Sequence, residues 1–448
     1  MGITVVQKSD LSRPKKNSRI CLVLAGGAVT GGAFKVGGLQ ALDSCLVGRK
    51  VNDFDIFIGL SAGSIIATLL ANGISPEEML RSFEGEETRL DPIHPLDVYR
   101  PNFEEFLLNP LRFVADVASF LPDFIVALLV SASFLHEDVR RSVLALIRRP
   151  SYRNLEKLFS HYGKTFGMTH RFPSPSHYLP KGIFSNERLE QVLRKNLSKN
   201  RLSNDFVELY QKSGKALYIV AANLDTAERV VFGYNQNNHL SISQAVQAST
   251  ALPAFYRPAR LKGVDYIDGG VRKTANIDVG VESGADLIIC YNPFRPFYNS
   301  VVSRYSQEKG KQIVEGRYLS DQGLLSIINQ VFRILLHTRL QYAIDLYRRD
   351  PRFQGDIILV EPTEYDYQFF GMNPFSFWVR QQAAKRGHDS VKESIEKRYP
   401  LLRRILQAHG IELRKPSLDE EPLAESPKGP HAAYFPDRFE QNVMKLAG

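Results

Sequence analysis

The chain has 448 residues, enough for one large core or two domains, and its 44% hydrophobic and 23% charged composition excludes wholesale disorder. No run approaches the length of a membrane span, and the first residues carry neither a secretory leader nor a myristoylation signal. Three sparse cysteines, Cys21, Cys45 and Cys290, point to a reducing compartment and no metal cluster, while a net charge of +9 points to an anionic partner, phospholipid or nucleic acid.

In chain order, residues 1–18 read as a basic, flexible tail. Ile20 to Leu24 is a short apolar run of buried-strand type, followed by the glycine-dense turn Ala25 to Gly32 and helical spacing from Ala33 to Leu46. Asp55 to Gly59 repeats the strand signature, and Ser64 to Asn72 the helical one, stopped by Gly73. A long, mostly helical insertion is expected over about 81–215, with an uncharged run from Phe124 to Leu135. That run suits a core helix or a lid helix lying in a lipid interface. Strands are predicted at Ala216–Ala221, Arg229–Phe232, Tyr266–Ile267 and Asp286–Tyr291, and a short helix at Ser243–Ser249. Beyond Pro296 a mostly helical extension runs over 296–414, with an amphipathic helix at 324–347 and no role for its His337. Residues 415–448, rich in Pro, Glu and Ser, read as a disordered linker and tail. Strands alternating with helices predict an α/β fold with a largely parallel sheet covered on both faces.

Gly59-Leu60-Ser61-Ala62-Gly63 fits a nucleophile elbow. A strand precedes Ser61 and a helix follows it, so helix N–H groups and the positive end of the dipole lie beside the hydroxyl. The competing reading is a chance match in a Gly/Ser turn. The earlier turn is no Walker loop, because Gly31 is followed by Gly32-Ala33-Phe34, and it lacks the G-x-G of a dinucleotide fingerprint. An oxyanion hole or a plain tight turn remain, and a nearby serine nucleophile favours the first. Asp268-Gly269-Gly270 ends a strand-like stretch, where an aspartate can take the serine proton; alone it is an ordinary turn signal.

Together the glycine loop, Gly-x-Ser-x-Gly and Asp-Gly-Gly, in that order, resemble the patatin-like phospholipase family. Gly182 to Asn186 with Leu189, Asn223 to Thr226 and Ala245 to Phe255 resemble further blocks of that family, so the resemblance covers roughly residues 20–295. It implies a three-layer α/β fold, with a catalytic domain over 19–295 and a Ser–Asp dyad without histidine that acts on lipid acyl esters. Ser61 would be the nucleophile and Asp268 the base, with Gly59, Gly63, Gly269 and Gly270 as motif glycines. The family loop usually reads Gly-Gly-Gly-x-Arg/Lys-Gly, whereas this chain has Gly26-Gly27-Ala28-Val29-Thr30-Gly31, without the basic residue. Gly26, Gly27 and Ala28 are the candidate oxyanion donors.

The expected function is hydrolysis of a phospholipid or lysophospholipid acyl ester, with no metal or organic cofactor. The expected partners are a membrane lipid substrate and an anionic membrane surface, with no nucleic acid. The expected location is cytoplasmic and peripheral to the membrane. Acyl transfer on the same dyad, or a regulatory membrane-binding module with weak catalysis, are the alternatives.

Overall fold

A computed structural model describes residues 2–15, 17–133, 137–151, 153–154, 157–158, 175–306 and 311–416, with the side chains of 117, 120–133, 138–139, 175–176, 302–315 and 325 outside that description. The chain divides into two units, one of residues 1–99, 186–253 and 258–448, the other of residues 100–185 and 254–257.

The larger unit is built on a nine-stranded sheet. Its strands are β1 (Ile3–Val6), β2 (Ile20–Leu24), β3 (Ile56–Leu60), β4 (Ala216–Asn223), β5 (Arg229–Gly233), β6 (Ala259–Leu261), β7 (Val264–Asp268), β8 (Leu287–Tyr291) and β9 (Asp356–Val360). The order is β1-β9-β8-β2-β3-β4-β7-β6, with β5 on β4. The five strands β9, β8, β2, β3 and β4 run parallel. They are almost wholly apolar, only Asp356 starting β9 and Asn223 ending β4 being polar, because both faces are covered, the pattern expected of a buried parallel sheet. Alternate residues feed two cores. Leu22, Leu24, Phe57, Ile219 and Ile289 face one, packed against α1 (Ala28–Cys45), α2 (Ala62–Ala71), α3 (Ile242–Thr250) and α5 (Arg380–Ala408). Val23, Ile58, Val220 and Ile288 face the other, packed against residues 277–279 and α4 (Leu324–Arg349). This is a three-layer α/β architecture.

Helices α1 and α5 touch at their backbones. A Cβ on Gly37 would lie 1.8 Å from the Ala384 carbonyl oxygen, and one on Gly387 1.9 Å from that of Phe34. Only glycine permits this crossing.

The smaller unit contains the helices Phe103–Ser133 and Glu137–Arg148, and a three-stranded sheet in which Gly182–Ser185 pairs with Arg100–Pro101 and Ala254–Tyr256. Phe124 to Ser133 lies in the first of these helices, but the side chains of the uncharged run lie outside the described residues, as does its end.

Three expectations need correcting. Ile3–Val6 is no tail: it forms an edge strand antiparallel to β9. The helical insertion is narrower than 81–215, since the helices Glu187–Lys199 and Phe206–Ser213 belong to the larger unit. The extension beyond residue 296 is not only helical, because Asp356–Val360 enters the sheet beside β8 and Val302–Ser306 pairs with Lys311–Glu315. Residues 417–448 lie outside the described residues. Among the described residues no helix is long and apolar enough to cross a membrane.

Candidate active site

The register of the sheet explains how Ser61 and Asp268 meet. β3 runs parallel to β4 until Leu60 faces Val220. β7 runs the opposite way along β4 and ends with Asp268 facing Ala221. Since β5 occupies the other edge of β4 at these residues, β3 and β7 share one edge and stop head-on at adjacent positions. Ser61, the next residue after β3, therefore emerges at Asp268. The glycine loop follows the neighbouring strand β2, whose Leu24 is in register with Gly59, so it opens at the same carboxyl ends.

Ser61 sits at φ 53°, ψ −131°, a conformation a non-glycine residue holds only when its surroundings impose it. Two buried serines do so. The Ser61 N–H donates to Ser249 Oγ at 2.8 Å, and the Ser61 carbonyl accepts from Ser64 Oγ at 2.6 Å and Ser64 N–H at 2.8 Å. Ser249 is anchored in turn by donating to the Val220 carbonyl at 2.6 Å. The motif glycines are required by close approach: a Cβ on Gly63 would lie 2.2 Å from the Leu24 carbonyl oxygen, and one on Gly59 2.4 Å from Ser64 Cα.

The Ser61 side chain lies close enough to the Asp268 carboxyl to hold its pKa down, and that carboxyl accepts the Gly270 N–H at 2.8 Å on Oδ1. The Asp268 N–H is fixed to the Ala251 carbonyl at 2.9 Å. Asp268 is only 4% exposed, and this burial pushes its pKa up to about 6 despite the opposing hydrogen bonds and the nearby Lys35. Above that pH it is a carboxylate beside the serine, an arrangement from which a carboxylate can act as general base.

Above Ser61 the loop turns at Gly27 (φ 156°) and Ala28 (φ 51°) and enters α1. A Cβ on Gly26 would lie 3.3 Å from Ser61 Cβ, so its backbone passes directly over the serine. The N–H groups of Val29 and Thr30 donate to the Pro374 carbonyl at 3.1 and 3.2 Å. Those of Gly26, Gly27 and Ala28 take no acceptor among the described residues. Gly269 and Gly270 follow Asp268, Gly269 packing on the Val220 and Ala221 backbone.

Sequence reasoning overlooked two residues that lie here. Lys35, fully buried, donates from Nζ to the Ala25 carbonyl and, at 3.1 Å, to that of Gly26. Its signal was readable: it is the lone charge between Arg19 and Asp43. Ser249 has no comparable signal, because a serine in Ala-Ser-Thr-Ala reads as an ordinary helix residue. His337 Nδ1 is hydrogen-bonded with Glu361 Oε1 at 3.1 Å. Among the described residues no group of His, Cys, Asp and Glu side chains is placed to hold a metal ion, and the buried Cys21, Cys45 and Cys290 form no disulfide.

A model of the family described as patatin-like phospholipase matches residues 22–281, more than half of the chain. The "Probable lipid hydrolase 463L" of Invertebrate iridescent virus 6 is 25% identical over 263 residues, 58% of this chain and 63% of that protein. The "Uncharacterized protein YjjU" of Escherichia coli (strain K12) is 25% identical over 146 residues, 32% of this chain and 38% of that protein. The matches thus span less than two thirds of either relative. Among solved structures, VipD from Legionella pneumophila aligns over 87% of this chain and 70% of its own, at 18% identity and a TM-score of 0.37.

Proposed function

The chain belongs to the patatin-like phospholipase family, and on that premise we propose that it hydrolyses acyl esters of membrane lipids with Ser61 as nucleophile and Asp268 as its base. One observation carries this reading: a serine held in a strained elbow beside a buried carboxyl whose pKa is about 6. The Ser61 proton passes to Asp268 as Oγ attacks the ester carbonyl. The tetrahedral oxyanion is met by the N–H groups of Gly26 and Gly27, with those of Ala28 and Ala62 at the adjoining helix starts. On collapse the C–O bond breaks and the leaving alkoxide takes the proton from Asp268. Water, deprotonated by Asp268, then attacks the acyl-enzyme; the acyl–Oγ bond breaks, Asp268 returns the proton to Ser61 Oγ, and the fatty acid is freed.

No histidine relay is needed, since a carboxylate of raised pKa stands beside the serine. Asp268 can take and return the proton itself, so the same group serves both half-reactions. The test is release of labelled fatty acid from phosphatidylcholine micelles by wild type, Ser61→Ala and Asp268→Asn. Loss of at least a thousandfold in both, with folding retained, is expected, since removing a triad member elsewhere costs that or more. An Asp268→Asn protein with near-normal turnover would remove the dyad.

The reading includes peripheral association with anionic membranes. The +9 charge supports it, as does one side of α4 on which Leu324, Ile327, Val331, Leu335 and Tyr342 are exposed while Leu336, Leu340 and Ile344 on the other side are buried.

A further inference from the structure

Lys35 has no part in the proton transfers above, yet it lies under them. It stands in the second turn of α1 and is 0% exposed. Long helix side chains lean towards the N-terminus, which carries its Nζ back to the two carbonyls that precede the helix, those of Ala25 and Gly26. An ammonium removed from water costs several kcal/mol unless hydrogen bonds compensate it, so packing alone gives no reason for a cation here. Burial lowers its pKa to about 7, so it is an ammonium on the acid side of neutrality, and Asp268, at the end of β7, and Cys290, in β8, are the ionisable groups that face it.

The direction of these two carbonyls fixes the direction of two donors. The peptide bonds are trans, so the C=O and N–H of one unit point oppositely. With the oxygens of Ala25 and Gly26 drawn to Lys35, the N–H groups of Gly26 and Gly27 are aimed away from it. Neither has an acceptor among the described residues, and Gly26 passes over Ser61. Thr30, where the family loop has a basic residue, instead shares the Pro374 carbonyl with Val29.

We propose that Lys35 is a positioning residue that sets the oxyanion hole, its ammonium gripping the Ala25 and Gly26 carbonyls so that the N–H groups of Gly26 and Gly27 face the oxygen on which charge develops. This rests on the assignment of Ser61 as nucleophile. A second consequence follows from the same cation: it favours the ionised form of Asp268.

The experiment measures kcat, KM and the acid limb of kcat/KM with p-nitrophenyl butyrate for wild type, Lys35→Met and Lys35→Gln, each also treated with a fluorophosphonate probe. In Lys35→Met, kcat should fall on the order of a hundredfold with KM within about twofold, the size of losing one oxyanion donor. Its acid limb should move to higher pH, a change that a packing role would not produce. Lys35→Gln, which keeps an N–H donor without the charge, should retain more kcat than Lys35→Met and show the same upward move. If Lys35→Met does not fold, Lys35→Gln decides alone: lowered kcat at constant KM with a raised limb supports the inference, and wild-type kcat with an unmoved limb overturns it. A folded Lys35→Met with wild-type kcat also overturns it. Failure of the probe to label Ser61 in wild type would bring down the underlying assignment, whereas a labelled wild type beside a fully active Lys35→Met removes only the role of Lys35.

Discussion

Asp268 is held where its own charge is costly. A carboxyl whose pKa rises from 3.8 to about 6 on folding binds its proton more tightly in the folded state. Its contribution to stability is therefore greatest below pH 4 and is lost as pH rises through 6, a difference of about 3 kcal/mol. Asp268→Asn should accordingly melt at the same or a higher temperature than wild type at pH 7.5, with the advantage shrinking towards pH 4, while hydrolysis is lost. A melting series over that range checks it; a lower melting temperature at pH 7.5 would mean that the carboxylate stabilises the fold. The same pKa sets the kinetics, so kcat/KM of wild type should climb tenfold per pH unit below about pH 6 and then flatten. Ser61 and Asp268 were legible in the sequence because each sits in a short pattern that only a tight turn explains. Lys35 and Ser249 were not singled out, because their roles are long-range contacts: a side chain folding back along its helix, and a hydroxyl reaching Ser61 from a different helix.

At the level of elements, the glycines are the parts under the greatest constraint. Gly27 has φ 156°, and a Cβ there would meet Pro293 Cγ at 2.8 Å and the Gly31 backbone at 3.0 Å. Gly27→Val should displace the loop and lower kcat by one to three orders of magnitude with a smaller change in KM; a folded variant with normal kcat would place the oxyanion hole elsewhere. Gly63→Ala is harsher, with a Cβ 2.2 Å from a backbone oxygen, and should destabilise by more than the about 1–3 kcal/mol typical of overpacking, read as a fall in denaturation midpoint. The strands around these glycines were readable as unbroken apolar runs. In Asp356–Val360 the apolar run is four residues behind an aspartate, too short to announce a sheet strand inside an extension that reads as mostly helical. Ile3–Val6 was hidden differently: an edge strand of four residues beside basic residues looks like a tail until β9 is there to pair with it.

Across the whole molecule, the α/β class was legible from alternation of strand and helix and the ordered glycine-loop, Ser61 and Asp268 motifs from their resemblance to the family, whereas the two-unit division depends on distant segments, residues 254–257 joining 100–185, that no local pattern announces. The charge and the exposed side of α4 predict binding to anionic vesicles that weakens between 0.1 and 1 M salt, as the screening length falls from about 10 to 3 Å. Ile327→Glu with Leu335→Glu should reduce the salt-resistant part without lowering the melting temperature, because both side chains are exposed. Equal sedimentation with neutral and anionic vesicles at low salt would contradict the electrostatic part. The claim on which all of this turns is that Ser61 is a nucleophile activated by Asp268. Incubation with a fluorophosphonate probe, followed by mass spectrometry of the labelled peptide, tests it most directly. The account predicts a single adduct on Ser61 in wild type, absent in Ser61→Ala and formed far more slowly in Asp268→Asn; an adduct on another serine, or equal labelling of Asp268→Asn, would contradict it.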